Sequence, residues 1–266
     1  MPHLTVNGAR LYYEARGSGA QTVIFAHGLL WSGQMFAQQA GVLQHHYRCI
    51  TFDWRGQGQS EVTRTGYDME SLYTDTLALI DALGITACHF IGLSMGGFIG
   101  MRLAARRPDI VTSLILLGTS ADPEPAANIP KYRMLNLVGR WLGFRLVAAQ
   151  VMPIMFGQKF LNDPTRALLR EEWRRRMLAN HRIGITQATA GVITRRGIAD
   201  LLHTIRAPTL ILVGDQDVAT PPAVAQRIHA RIPQSHLAII PGAGHTSTVE
   251  EPQAVNAAIL AFLCDI

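Results

Sequence analysis

Short apolar runs alternate along this chain with longer segments in which apolar residues recur every three to four positions. The first pattern marks buried strands and the second marks amphipathic helices; their alternation predicts a largely parallel sheet with crossover helices. Residues 4–6 and 11–15, joined through Asn7-Gly8, predict an opening hairpin. Strands follow at 22–26 and 48–52, with a helix over 32–44 between them. A helix over 69–83 stops at Gly84, and the segments 88–92, 96–106 and 111–117 read as strand, helix and strand.

The rhythm then breaks. From about residue 120 to 196 no clear strand is visible, and Met, Trp, Arg and Leu recur at helical spacing. Residues 134–156 are interrupted by Arg140, Arg145, Gln150 and Pro153, so they read as two short amphipathic helices rather than a membrane span. Strand and helix resume at 209–213, 221–230, 237–240 and 251–263. The prediction is an α/β fold with a doubly wound, mostly parallel sheet, its core built from residues 1–119 and 197–266, and a helical cap inserted at 120–196.

Composition narrows the function classes. The 266 residues are 48% hydrophobic and 16% charged, which excludes a disordered chain. The net charge of +5 is uneven: residues 121–197 hold 13 Lys+Arg against 5 Asp+Glu, and the remainder 11 against 14. Arg166, Arg170, Arg174, Arg175, Arg176 and Arg182 alternate with glutamates and apolar residues, which predicts a solvated helix face and no nucleic-acid partner. Three irregularly spaced cysteines, Cys49, Cys88 and Cys264, suggest neither a disulfide framework nor a zinc site. With no basic and apolar leader at the amino terminus and no apolar span, the expectation is a cytoplasmic protein with no membrane partner.

The central chemical signal is Gly92-Leu93-Ser94-Met95-Gly96-Gly97. Ser94 leaves a short buried strand and opens a helix, the setting of a nucleophile elbow. Its glycines remove β-carbons that a strained turn cannot accommodate, and the helix amino terminus favours developing negative charge. A serine nucleophile needs a base. Of ten histidines, His245 lies in the loop Gly242-Ala243-Gly244-His245 directly after the last strand, at the carboxyl edge where sheet ligands bind. The amide of Met95, the residue after the serine, is the first candidate donor to an oxyanion. No third glycine completes a dinucleotide fingerprint after Gly56 and Gly58, and no metal-ligand spacing appears, so no cofactor is expected.

Taken together these motifs resemble the α/β-hydrolase superfamily over nearly the whole chain. His27-Gly28-Leu29-Leu30 is similar to its oxyanion loop, and Asp53-x-Arg55-Gly56-x-Gly58-x-Ser60 to its D-x-R-G-x-G-x-S turn. Gly214-Asp215-Gln216-Asp217 and Gly244-His245 are similar to its acid and histidine loops. The resemblance implies a triad of Ser94, His245 and Asp217, with Asp122 and Asp215 as alternative acids, and the Leu29 amide as second oxyanion donor. It implies structural duties for His27, Asp53 and Arg55.

The elbow is shared with a small capped group that includes oxoadipate enol-lactonases and bacterial carboxylesterases. The loop His27-Gly28-Leu29-Leu30-Trp31 differs from the serine-rich loop of those lactonases, so the expectation is cleavage of a small-molecule carboxylic ester or lactone. Leu30, Trp31, Trp141 and Met155 are the expected pocket residues. Rival expectations are a carbon–carbon hydrolase of ring-cleavage products, a cofactor-free haloperoxidase or perhydrolase, and a ligand-binding receptor on the same scaffold.

Overall fold

The computed structural model describes residues 2–266. Its sheet runs in the order β1-β2-β4-β3-β5-β6-β7-β8, with β1 His3–Val6, β2 Ala9–Arg16, β3 Thr22–Ala26, β4 Arg48–Phe52, β5 Cys88–Leu93, β6 Val111–Leu117, β7 Thr209–Gly214 and β8 Ser235–Ile240. The first hairpin and the β2–β4 pair are antiparallel, and every pair from β4 onward is parallel. Every residue of β3, β5 and β7 is buried, as expected where helices cover both faces. Side chains alternate between the two cores with the period of the pleat: Val23 and Phe25 enter one, Ile24 and Ala26 the other.

On the β-sheet flanks lie α1 Ala37–Leu43, α2 Met69–Ala82, α3 Met95–Arg106, α9 Pro222–His229, α10 Ser247–Glu250 and α11 Pro252–Cys264. The helix predicted over 32–44 is divided, with a 3-10 turn at Gly33–Phe36 ahead of α1. The Gly33 amide donates to Asp53 Oδ1 at 2.7 Å, and a β-carbon there would stand 2.9 Å from Thr51 Cβ. The segment is thereby pinned against β4 before the α-helix starts.

Between β6 and β7 the chain forms α4 Ile129–Trp141, α5 Ala148–Met155, α6 Gln158–Asn162, α7 Ala167–Leu178 and α8 Arg182–Ile193. The two short helices foreseen for 134–156 are the second part of α4 and α5, separated by a 3-10 turn at Phe144–Leu146. No helix among the described residues is long and apolar enough to cross a membrane.

The D-x-R-G turn after β4 is anchored to α2 by a buried ion pair. Arg55 Nε and Nη2 donate to Asp75 Oδ2 and Oδ1 at 2.7 and 2.6 Å, with both side chains almost fully enclosed. Replacing Arg55 with alanine leaves the Asp75 carboxylate buried without its counter-ion, with Asn7 Nδ2 still donating to it at 3.2 Å. The expected loss is about 3–5 kcal/mol of unfolding free energy, read from denaturant titration.

Candidate active site

Strand order decides which loops meet. The chain leaves β4 and crosses β3 to enter β5, so the loops after β3 and β5 diverge around a crevice at the carboxyl edge. The β3 loop carries Leu29 and the β5 loop carries Ser94; Ala26 and Gly92 face each other just below them.

Ser94 has φ +52° and ψ −112°, a conformation rarely adopted by a residue with a β-carbon. The local sequence makes the turn feasible. A β-carbon at Gly92 would meet Gly96 O at 2.4 Å, and one at Gly96 would meet Ala26 O at 1.9 Å. The turn is held by Ser94 N–H donating to Leu117 O at 2.9 Å, and by Phe98 N–H and Thr119 Oγ1 donating to Ser94 O at 3.0 and 2.8 Å.

His245 Nδ1 lies 2.9 Å from Asp217 Oδ2. Asp217 Oδ2 also accepts from Thr220 Oγ1 at 2.8 Å, while Oδ1 accepts from the amides of Ala219 and Thr220 at 2.9 and 2.8 Å. The carboxylate is therefore fixed on both oxygens. With the Nδ1 proton directed at Asp217, the imidazole keeps its Nε2 lone pair. Burial pulls the His245 pKa down, but the charge and hydrogen bond of Asp217, with a contribution from Glu250, outweigh it and leave the pKa above its ordinary value.

The other two acids stand elsewhere. Asp122 Oδ2 pairs with Arg227 Nη2 at 2.9 Å, and Asp215 Oδ1 accepts from the Gly242 amide at 2.7 Å. Asp217 is the acid brought to His245.

In the β3 loop, Gly28 N–H points at Met35 Sδ at 3.4 Å and Leu30 N–H donates to Gln57 Oε1 at 2.9 Å. Leu30 has φ +76°, and its carbonyl accepts from Asn180 Nδ2 at 2.7 Å, which joins the loop to the end of α7. The amides flanking Leu29 are thus engaged, while its own N–H has no hydrogen-bond partner among the described residues. Met95 opens α3, where amides lack intrahelical partners. His27 accepts the Trp54 amide on Nε2 at 3.0 Å and directs Nδ1 at Gly28 O at 2.7 Å. Burial lowers its pKa to about 4, so it is a neutral strut between loops.

Ser94 and His245 share the wall of a cavity of about 620 Å³. Its lining is mainly apolar and includes Leu30, Phe98, Val151 and Met155. Two expected pocket residues fall outside it. Trp31 is buried edge-on between Phe156 and Trp173, at ring separations of 5.7 and 5.2 Å. Trp141 is 71% exposed, because α4 turns Tyr132, Leu135 and Asn136 toward the cavity and leaves Trp141 on its far side.

Sequence reasoning missed several supporting groups. Glu250 is buried and accepts the amides of Gly157 and Gly244 on Oε2 at 2.7 and 2.9 Å, and that of Thr246 on Oε1 at 3.0 Å. It therefore ties the segment between α5 and α6 to both sides of His245. Burial raises its pKa to about 7, with the three amides acting against that rise. A buried Glu124–Arg195 pair at 2.6 Å lines the cavity, with the guanidinium 4.5 Å above the Phe98 ring. The one available signal was Glu250's position, five residues after His245. Thr119, Thr220, Glu124 and Arg195 carry no local signature.

Comparison with known proteins agrees with this architecture. The model of the alpha/beta hydrolase fold family matches residues 21–252. A protein of Caulobacter sp. (strain K31) named as the carbamate hydrolase RutD is 31% identical, covering 97% of each chain. One of Mycobacterium tuberculosis named as the non-heme bromoperoxidase BpoC is 30% identical, covering 96% of this chain and 98% of its own. The crystal structure of the enol-lactonase from Burkholderia xenovorans LB400 superposes with a TM-score of 0.92 at 26% identity, over 99% of this chain and 100% of the other. The chain belongs to the α/β-hydrolase family and is a hydrolase of that superfamily.

Proposed function

We propose that this hydrolase cleaves a carboxylic ester or lactone through Ser94, His245 and Asp217. The observation that carries the reading is the His245–Asp217 hydrogen bond of 2.9 Å together with a strained Ser94, with Ser94 and His245 both on the wall of one apolar cavity. In the proposed cycle His245 Nε2 takes the Ser94 proton as Oγ attacks the substrate carbonyl. The amides of Leu29 and Met95 hold the resulting oxyanion. His245 then gives the proton to the departing alkoxide, leaving an acyl-serine. Water, deprotonated by His245, attacks the acyl group; the acid leaves and Ser94 recovers its proton.

Residues 120–196 act in this reading as a cap over the catalytic loops. Their apolar lining suits an acyl or alcohol group of similar character. The names of the relatives do not choose among acyl substrates, because a carbamate, a peracid and a lactone all pass through carbonyl attack.

The test is turnover of nitrophenyl esters of increasing acyl length, several lactones and a carbamate. Rapid hydrolysis of esters or lactones supports the proposal, and the length profile measures the cavity. The bromoperoxidase-like relative favours one second reading, perhydrolysis at the same serine. Monochlorodimedone bromination that depends on peroxide and exceeds ester hydrolysis would replace the first reading with this one.

Glu250→Gln supplies an independent check. Above its own pKa of about 7 Glu250 is charged and raises the His245 pKa, and the base must be neutral to act, so activity falls as pH drops through the His245 value. Removing the negative charge lowers the His245 pKa. The acid limb of kcat/KM is therefore expected at lower pH in the variant. An unshifted limb would show that Glu250 exerts no charge on the base over the pH range in which His245 titrates.

A further inference from the structure

The outward face of α4 and the turn after it carry an apolar surface with no internal partner. Met134, Leu137 and Trp141 are 60, 55 and 71% exposed, and Leu142 and Leu146 are 68 and 60% exposed. The three helical positions fall at i, i+3 and i+7, one stripe on one side of the helix. Tyr132, Leu135 and Asn136, on the other side, face the cavity. Most monomers do not leave so many large apolar side chains contiguous in water without a use.

The charges around the stripe indicate what covers it. Between residues 129 and 146 there are four basic residues, Lys131, Arg133, Arg140 and Arg145, and no acidic one. Among the described residues none of these four enters an ion pair, whereas two of the four α7 arginines are answered on their own helix, Arg174 by Glu171 and Arg176 by Glu172. The α7 surface carries acidic counter-charges of its own; the α4 surface carries none. A second copy presenting the same face would bring four more positive charges against these four, which disfavours self-association there.

We propose that α4 and the following turn form a peripheral docking surface for an anionic lipid membrane. Trp141, Leu137 and Met134 enter the boundary between headgroups and acyl chains, and the four cations meet the acidic headgroups. This contact needs no spanning segment, only a helix lying in the interface plane. It revises the expectation of no membrane partner, which rested on the lack of an apolar span.

Tryptophan fluorescence reads this surface selectively. Of the four tryptophans, Trp31, Trp54 and Trp173 are buried and Trp141 alone is exposed. The experiment titrates the purified chain with vesicles of phosphatidylcholine, with and without phosphatidylglycerol, following co-sedimentation and emission. Expected are binding and a blue shift with the anionic vesicles, little of either with the neutral ones, and weakening by added salt. Lys131→Gln with Arg133→Gln should weaken partitioning about 25-fold, at about fivefold per charge. Leu137→Ser with Met134→Ser should weaken it as well. Circular dichroism establishes that these surface variants are folded.

The readout is independent of hydrolysis, so Ser94→Ala should bind vesicles as the parent does. Failure to bind anionic vesicles, or binding indifferent to both double variants, would overturn the proposal. Self-association by light scattering that disappears with Leu137→Ser would overturn it in favour of a second copy. Vesicle-independent capture of an acidic protein on α4 would overturn it in favour of that partner.

Discussion

Replacing Ser94 with alanine is expected to lower kcat by about 10⁵- to 10⁶-fold on any ester or lactone that the parent hydrolyses readily. The proposed cycle forms its covalent bond at this oxygen, and among the described residues no other hydroxyl sits both at an elbow and on the wall shared with His245. What survives the substitution is whatever binding and the two oxyanion amides supply. Folding should be little affected. The turn is held through the main-chain N–H and C=O of Ser94, which bond to Leu117 O, Phe98 N and Thr119 Oγ1, and none of these bonds needs the serine hydroxyl. Parallel rate and thermal-melting measurements separate the two effects. A folded Ser94→Ala protein with parental turnover would remove the serine mechanism.

Asp217→Asn is expected to lower kcat by about 10⁴-fold, the scale of damage from a mis-set histidine tautomer in a serine triad. The hydrogen bonds predict how the damage arises. Oδ1 of Asp217 accepts two amides, from Ala219 and Thr220, so the carboxamide oxygen of asparagine must take that place. Its NH₂ then occupies the Oδ2 position against His245 Nδ1. Two donors cannot face each other, so the imidazole presents its Nδ1 lone pair and carries its proton on Nε2, where a base must have none. Asp122→Asn loses only a partly exposed pair with Arg227. Such pairs contribute about 0–1 kcal/mol, and the rate should change only a few-fold. Comparing kcat for the two variants decides the acid; if Asp122→Asn is the crippled one, Asp217 is not the acid.

The readable parts of the molecule share one property: their physical cause is local. Fully buried strands such as β3 and β5 need uninterrupted apolar runs, and a helix such as α2 needs its apolar stripe and a stop at Gly84. The elbow is legible because glycines are required within two residues of Ser94, where any β-carbon would strike backbone. His245 stands out because it follows the last strand in a glycine loop. The break in the βα rhythm likewise exposes the helical segment between β6 and β7. Reading the expected pocket was harder. Trp31 and Trp141 are large apolar residues near the right elements, but the phase of α4 and the packing of Trp31 against Phe156 and Trp173 turn them away from the cavity.

The sequence by itself determined the alternation of strands and helices, the elbow at Ser94, the loop that holds His245 and the short set of acids that could serve it. Each depends on residues close together in the chain. The family resemblance put Asp217 first among those acids, and the tertiary structure set it, and not Asp122, against His245. Only the tertiary structure brought Glu250 to the Gly157, Gly244 and Thr246 amides, paired Arg195 with Glu124, and left the α4 stripe bare beside unanswered cations. Apart from the Glu250 bonds to Gly244 and Thr246, which lie six and four residues away, these are contacts between segments 28 to 93 residues apart, or the lack of them. They depend on strand order and on the rotation of each helix about its axis, which hydrophobic periodicity constrains only to the width of an apolar face.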